Sequence, residues 1–162
     1  MTKPTWREVL LLVGLAGIAG LLLSHDIVRA QAPGKPPVFT EFRSRLALDG
    51  YDPVAYFRTG TPAKGTAAHT ATWSGATWQF GSAENKAAFE ANPASFAPQY
   101  GGYCAWAVSE GYTAKGDPNY WRIVDGKLYV NYDASVQRNW EKNIPGHIAK
   151  GDGNWPAVLQ NK

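Results

Sequence analysis

Apolar and polar positions along this chain fall into two regimes. From Val9 to Leu23 apolar and glycine residues run without a charge, whereas from Val38 onward apolar residues come in short groups cut by Gly, Pro, Asn and Asp. Short groups bounded by turn formers predict small strands and helices rather than long ones. Ala71-Thr72-Trp73 and Thr77-Trp78-Gln79-Phe80 flank Ser74-Gly75-Ala76 and predict a hairpin. Tyr120-Trp121-Arg122-Ile123-Val124 and Lys127-Leu128-Tyr129-Val130-Asn131 predict a second, because the Asp125-Gly126 pair between them suits the left-handed φ of a two-residue type I′ turn. Ser82 can cap a helix with Glu84 in its first turn and Ala87, Ala88 and Phe89 facing inward, and Asn92-Pro93 ends it and restarts a turn. Asp133 can cap another, in which Val136 and Trp140 lie four apart on one face. The turn cluster Asp49-Gly50-Tyr51-Asp52-Pro53 leads into a short helical turn or strand at Pro53-Val54-Ala55-Tyr56-Phe57. Residues 60–68 read as a loop, residues 145–149 follow the second helix, and Trp155-Pro156-Ala157-Val158-Leu159 closes the chain with a turn. No internal repeat is expected. The class is α+β: one small domain of short antiparallel hairpins and short helices.

The apolar run near the start changes the domain picture. Lys3 and Arg7 precede it, and Ala30-Gln31-Ala32 follows with the small-x-small pattern that a signal peptidase reads. Residues 1–32 are therefore expected to be a signal peptide cut after Ala32, with an uncleaved membrane anchor as the alternative. Residues 33–48 then form a tether and lead-in, Pro/Gly-rich up to Pro37, and residues 49–160 form the folded domain. Export to the periplasm or another extracytoplasmic space is the expected location, and membrane contact arises only through the N-terminal segment if it stays attached.

Composition narrows the function classes. Seven Trp, eight Tyr and six Phe supply a large apolar surface for a chain of 162 residues, so a core without disulfides is feasible. The net charge of +3 is small, and acids interrupt the basic residues, leaving no stripe for nucleic acid. There is no phosphate-cradling glycine motif and no self-contained catalytic constellation.

One cysteine, Cys104, remains, in the run Tyr100-Gly101-Gly102-Tyr103-Cys104-Ala105-Trp106. A lone thiol forms no intramolecular disulfide, and outside the cytoplasm it risks oxidation unless it is buried, metal-bound or used. The paired glycines mark a left-handed turn or a close backbone approach.

Read together, Gly50-Tyr51-Asp52-Pro53-Val54-Ala55-Tyr56-Phe57, Trp78-Gln79-Phe80, the block from Asn92 through Tyr100-Gly101-Gly102-Tyr103-Cys104-Ala105, and Asp125-Gly126-Lys127-Leu128-Tyr129 resemble the bacterial YHS-domain-containing (seleno)protein family over about residues 49–159. The resemblance implies a small α+β domain related to TRASH-type metal-binding folds, usually exported, with selenocysteine in some relatives at the position of Cys104. The Tyr-His-Ser triplet that names the broader domain is absent, and Tyr103-Cys104-Ala105 is the nearest block.

Three readings of the site follow. In the first, Cys104 binds a soft transition metal, copper favoured over zinc, with His69, His147 and Asp52 as second ligands and Asp49, Glu110 and Asp117 behind them. In the second, Cys104 exchanges with peroxides, disulfides or partner thiols, its ionisation helped by Arg122 or His69 if the fold brings them near. The third is a non-catalytic module for a small molecule or an unidentified protein partner, with Tyr51, Tyr56, Tyr100, Gly101, Gly102, Tyr103 and Trp106 shaping a pocket that Tyr112 and Trp121 extend. Geometry separates them: a metal site needs His or Asp converging on sulfur, a redox site an exposed electropositive thiol, and a binding module a thiol buried under an aromatic cleft.

Overall fold

The computed structural model describes residues 34–161; the expected signal peptide or anchor at residues 1–32 lies outside the described residues. The fold is α+β, with two separate two-stranded antiparallel sheets and short helices packed on them. In the first hairpin β1 (Thr66–Trp73) pairs with β2 (Ala76–Phe80), and in the second β3 (Asp117–Val124) pairs with β4 (Lys127–Asn131). Both turns take left-handed φ at their two central residues, 50° and 77° at Ser74-Gly75 and 49° and 72° at Asp125-Gly126, the backbone a type I′ connection demands. The helices are α1 (Ala55–Arg58), α2 (Ala83–Ala91), α3 (Pro93–Phe96), α4 (Ala105–Ser109), α5 (Ala134–Glu141) and α6 (Ile144–Asn154). Among the described residues no helix is long and apolar enough to cross a membrane.

The expected helix caps are present: Ser82 accepts the Asn85 N–H and Asp133 accepts the Val136 N–H. Two local expectations are corrected. Of Ala87, Ala88 and Phe89 only Phe89 is buried and Ala87 is exposed, because consecutive helical residues point about 100° apart and cannot share a face. The stretch 60–68 is not all loop. Thr66 pairs with Phe80 before the register breaks and resumes at Thr70 and Gln79, so the bulging residues between them hide the strand's alternation.

An internal repeat is present where none was expected. Residues 48–96 and 100–154 run through the same elements in the same order. Each copy opens on three consecutive left-handed residues, Leu48, Asp49 and Gly50 at φ 49°, 51° and 77°, then Tyr100, Gly101 and Gly102 at 55°, 61° and 85°. Side-chain-bearing residues there cost about 1–2 kcal/mol each, so the turn is held in place by what surrounds it. Next comes an extended Tyr that bridges a Lys, Tyr51 to Lys64 and Tyr103 to Lys115. The residue after it donates its N–H across the same gap, Asp52 to the Ala63 carbonyl at 2.8 Å and Cys104 to the Ala114 carbonyl at 2.9 Å. A short helix follows, α1 or α4, and then a hairpin whose register breaks at matching places, Thr66/Thr70 and Asp117/Trp121. A capped helix with one fully buried aromatic comes next, Phe89 or Trp140, and an Asn at φ near −154°, Asn92 or Asn143, starts the final helix with Pro in its first turn.

Two cores form, and the first is shared between the copies, because Leu128 and Val130 of β4 are buried in the same cluster as Trp78, Phe80 and Phe89. Trp78, Phe80 and Phe89 are fully buried in the first, with Phe89 5.1 Å from each of the other two rings. In the second, Tyr129 lies 5.4 Å from Trp140, with Tyr100, Tyr103, Val108 and Val158 around them. The segment expected as a tether is docked from Lys35 onward. Its Lys35 N–H reaches the Leu159 carbonyl, Phe39 N–H reaches the Gly101 carbonyl, and Val38 is buried in the first core. A Cβ on Gly101 would collide with the Pro37 carbonyl, which is the close backbone approach that glycine permits there.

Candidate functional site

Cys104 stands at the N-terminal edge of α4, held by the backbone bond to Ala114, with 1 % of its surface exposed. Its Sγ lies 3.8 Å from the Oδ1 of Asn131, which also accepts the Trp106 N–H at 3.2 Å. Asn131 is wholly buried at the end of β4, and its Nδ2 has no hydrogen-bond partner among the described residues. An orphaned buried donor costs about 1–3 kcal/mol, so this amide is kept at the expense of stability. Burial pushes the thiol's pKa up, while the backbone N–H groups of Ala107, Tyr132 and Trp106 favour the ionised form and oppose that rise. At rest the sulfur is therefore a neutral S–H directed at the Asn131 carbonyl oxygen.

Above the sulfur is a cleft of about 240 Å³. Cys104, Ala107 and Ala114 line it together with Trp106, Tyr112, Tyr132 and Val136, an almost entirely apolar set. Trp106 and Tyr112 meet edge to face at 6.2 Å, and Tyr112 and Tyr132 remain 45 % and 54 % exposed.

The corresponding place in the first copy is closed. Asp52 is wholly buried, and its carboxylate accepts the Val54 N–H at 2.8 Å, the Gly81 N–H at 2.8 Å and the Asn85 Nδ2 at 2.6 Å. The second copy has Trp106 for Val54, Tyr132 for Gly81 and Val136 for Asn85. The side chain that caps the acid in one copy is thus an apolar cleft wall in the other.

Most of the other residues singled out from sequence are engaged elsewhere. Asp52 is held as described, and Asp49 pairs with Lys115 at 3.1 Å. Asp117 accepts the Asn119 N–H at 2.8 Å, and Arg122 is bound to Glu141 at 2.8 Å. His69 lies on β1, not in the expected loop. His147, on α6, has Nδ1 2.8 Å from the Ser109 Oγ and 3.8 Å from the Glu110 carboxylate. This trio is not a nucleophile relay: the buried Ser109 hydroxyl donates to the Trp106 carbonyl at 2.7 Å, and serine and acid approach the same ring nitrogen. Among the described residues no three His, Cys, Asp or Glu side chains gather as a metal-holding group.

The expected aromatic pocket is largely core instead. The Tyr56 hydroxyl donates to the Pro118 carbonyl, Tyr100 to Asp152 and Tyr103 to the Pro36 carbonyl, so each ring is buried with its polar tip satisfied. Tyr51 lies under Lys64, whose ammonium is 4.1 Å from the ring centre, and Trp121 packs edge to face on Tyr56. Gly101 and Gly102 shape the turn before the sulfur and do not line the cleft; Trp106 and Tyr112 do. Asn131, Tyr132 and Val136 were not anticipated. The signal that points to them is the recurrence of Gly-Tyr and Ala-Lys-Gly at 50–51 and 63–65, then at 102–103 and 114–116, which sets Cys104 against Asp52. Comparison with protein-family models, with curated proteins and with solved structures finds no significant match for this chain.

Proposed function

We propose that this chain is an exported or membrane-anchored YHS-like domain acting as a binding module, which holds a small apolar or aromatic molecule in the cleft over Cys104. The observation that carries this reading is the cleft itself: about 240 Å³, apolar-walled, with the sulfur buried at its base. A cavity of about 150 Å³ is enough to hold benzene, so a ligand of one or two rings fits the available space. The engagement of His147 and Asp52 with other groups, and the place of His69 on β1, favour this reading over a soft-metal centre, and the buried neutral thiol favours it over an exposed exchange site. Sulfur at the base adds a polarizable contact for an aromatic face.

Indole serves as the probe, titrated into the full chain while backbone amide shifts are followed by NMR. Saturable shifts at Cys104, Tyr112 and Tyr132 that disappear in Val136→Trp, where a larger side chain fills the cleft, are the expected result. No saturable shift, or shifts indifferent to Val136→Trp, would overturn the reading. A parallel anaerobic Cu(I) titration against a competing chelator supplies the contrary outcome: stoichiometric copper lost in Cys104→Ser would favour a thiolate metal site instead.

A further inference from the structure

We propose that the ligand of the cleft carries a methylated ammonium group, caged by the rings of Trp106, Tyr112 and Tyr132. This inference rests on the binding reading above and narrows it to a class of ligand. Aromatic faces carry negative potential and attract cations, and several rings together form the cages that recognise quaternary ammonium groups. The cleft supplies such rings. Tyr112 and Tyr132 are two of the three exposed large hydrophobic residues among the described residues, and both line it.

Three rings and two acids set the second copy apart around this site. Trp106 stands where the first copy has Val54, Tyr132 where it has Gly81, and Tyr112 where it has Thr61, each of the last pair following a left-handed glycine, Gly111 or Gly60. Glu110, just past α4, replaces Thr59, just past α1, and Asp133, the cap of α5, replaces Ser82, the cap of α2. The first copy forms the same elements with small or neutral residues at all five places, so the fold does not require the rings or the acids. A cation in the cleft explains both exchanges together.

Shape and charge agree with that class. The rings of Trp106 and Tyr112 stand at 83° to each other. A flat ligand stacks on only one of two perpendicular rings, whereas a compact methyl-clothed cation touches both. A trimethylammonium group is close to benzene in bulk, so about 240 Å³ accommodates it with part of its carrier. No Lys or Arg lines the cleft. The side-chain carboxylates whose charge reaches it are Asp133, which opposes ionisation of the Cys104 thiol, and Glu110, which opposes that of Tyr112. His147 and Lys150 come no closer to Glu110 than 3.8 Å, contacts loose enough to leave its field on the tyrosine. Methylation matters because an ordinary ammonium brings N–H donors that apolar walls leave unpaired, and a quaternary one has none.

The test titrates three probes into the full chain at fixed ionic strength: choline, its neutral carbon isostere in which a tert-butyl group replaces trimethylammonium, and indole. Backbone amide shifts of residues 112 and 132 give the dissociation constants. Choline is expected to bind about tenfold more tightly than the isostere. Tyr132→Leu, at a half-exposed position, is expected to weaken choline about fivefold and the isostere far less, with Tyr132→Phe restoring the affinity because the ring face and not the hydroxyl holds the cation. Glu110→Gln is expected to weaken choline alone. Equal binding of choline and its isostere, or choline affinity indifferent to Tyr132→Leu, would overturn the cage. Indole binding without choline binding would overturn the cage and leave the cleft reading standing, and binding of none of the three would overturn both.

Discussion

Asp52 and Cys104 occupy the same station in two copies of one motif, each after a Gly-Tyr pair and each tied through its N–H to an alanine carbonyl three residues ahead of the next strand. They differ in what meets the side chain: Asp52 is surrounded by donors, and Cys104 opens on a cleft. Because the carboxylate satisfies those donors in a site closed to water, Asp52→Ala leaves them without a partner. The expected loss is about 3–5 kcal/mol of unfolding free energy, read from urea unfolding midpoints. A loss below about 1 kcal/mol would mean that the carboxylate does not organise the first copy.

Val136→Asn places in the second copy the residue that closes the first. Asn85 covers the Asp52 carboxylate, and an amide at 136 should cover the sulfur in the same way. Alkylation of Cys104 by iodoacetamide is expected to slow about fivefold, the worth of one hydrogen bond of about 1 kcal/mol. An unchanged rate would show that the cleft is not the path to the thiol.

Alkaline pH should weaken the fold through Cys104. Burial holds its pKa above the ordinary thiol value of 9.0, so the unfolded chain ionises first as pH rises. Between the unfolded and folded pKa values the folded state binds more protons, and stability falls as pH increases, by at most about 1.4 kcal/mol per pH unit for one group. Buried tyrosines contribute in the same direction, so the comparison is the native chain against Cys104→Ala from pH 8 to 10. Parallel stability curves would contradict the assignment of a neutral buried thiol.

Two glycines with positive φ should respond differently to alanine. At Gly126 a Cβ meets nothing within 4 Å, so Gly126→Ala pays only for the left-handed backbone, about 1 kcal/mol. At Gly101 the Cβ strikes the Pro37 carbonyl, and Gly101→Ala should cost about 3 kcal/mol or more and loosen residues 35–39. Hydrogen exchange at the Phe39 amide, which bonds to the Gly101 carbonyl, reports that loosening directly. Equal effects at the two sites would argue that the docked segment adds nothing to stability.

Local chemistry explains which expectations survived. The second hairpin and the caps at Ser82 and Asp133 were legible because each depends on a few adjacent residues: an Asp-Gly pair that tolerates left-handed φ, or a side-chain oxygen within reach of an N–H three positions on. The repeat was harder to read. Its identities are thin, a Gly-Tyr, an Ala-Lys-Gly and a turn glycine, while its hydrophobic stations exchanged one large residue for another, as at Phe89 and Trp140. Of the expected aromatic pocket, Trp106 and Tyr112 line the cleft, whereas Tyr56, Tyr100 and Tyr103 do not, because their hydroxyls find partners that sequence distance conceals, among them Pro118, Asp152 and Pro36.

The sequence alone therefore determined the two hairpins, the helix caps at Ser82 and Asp133, and the one residue of unusual chemistry. Turn type, capping and the count of thiols are properties of neighbours along the chain. Only the tertiary structure decided what surrounds that thiol. The cleft brings residues 104–114 together with Tyr132 and Val136, and Asn131 reaches the sulfur from the end of β4. Which donors, walls and charges face a buried atom depends on how separate elements pack, and packing joins residues that the chain keeps far apart.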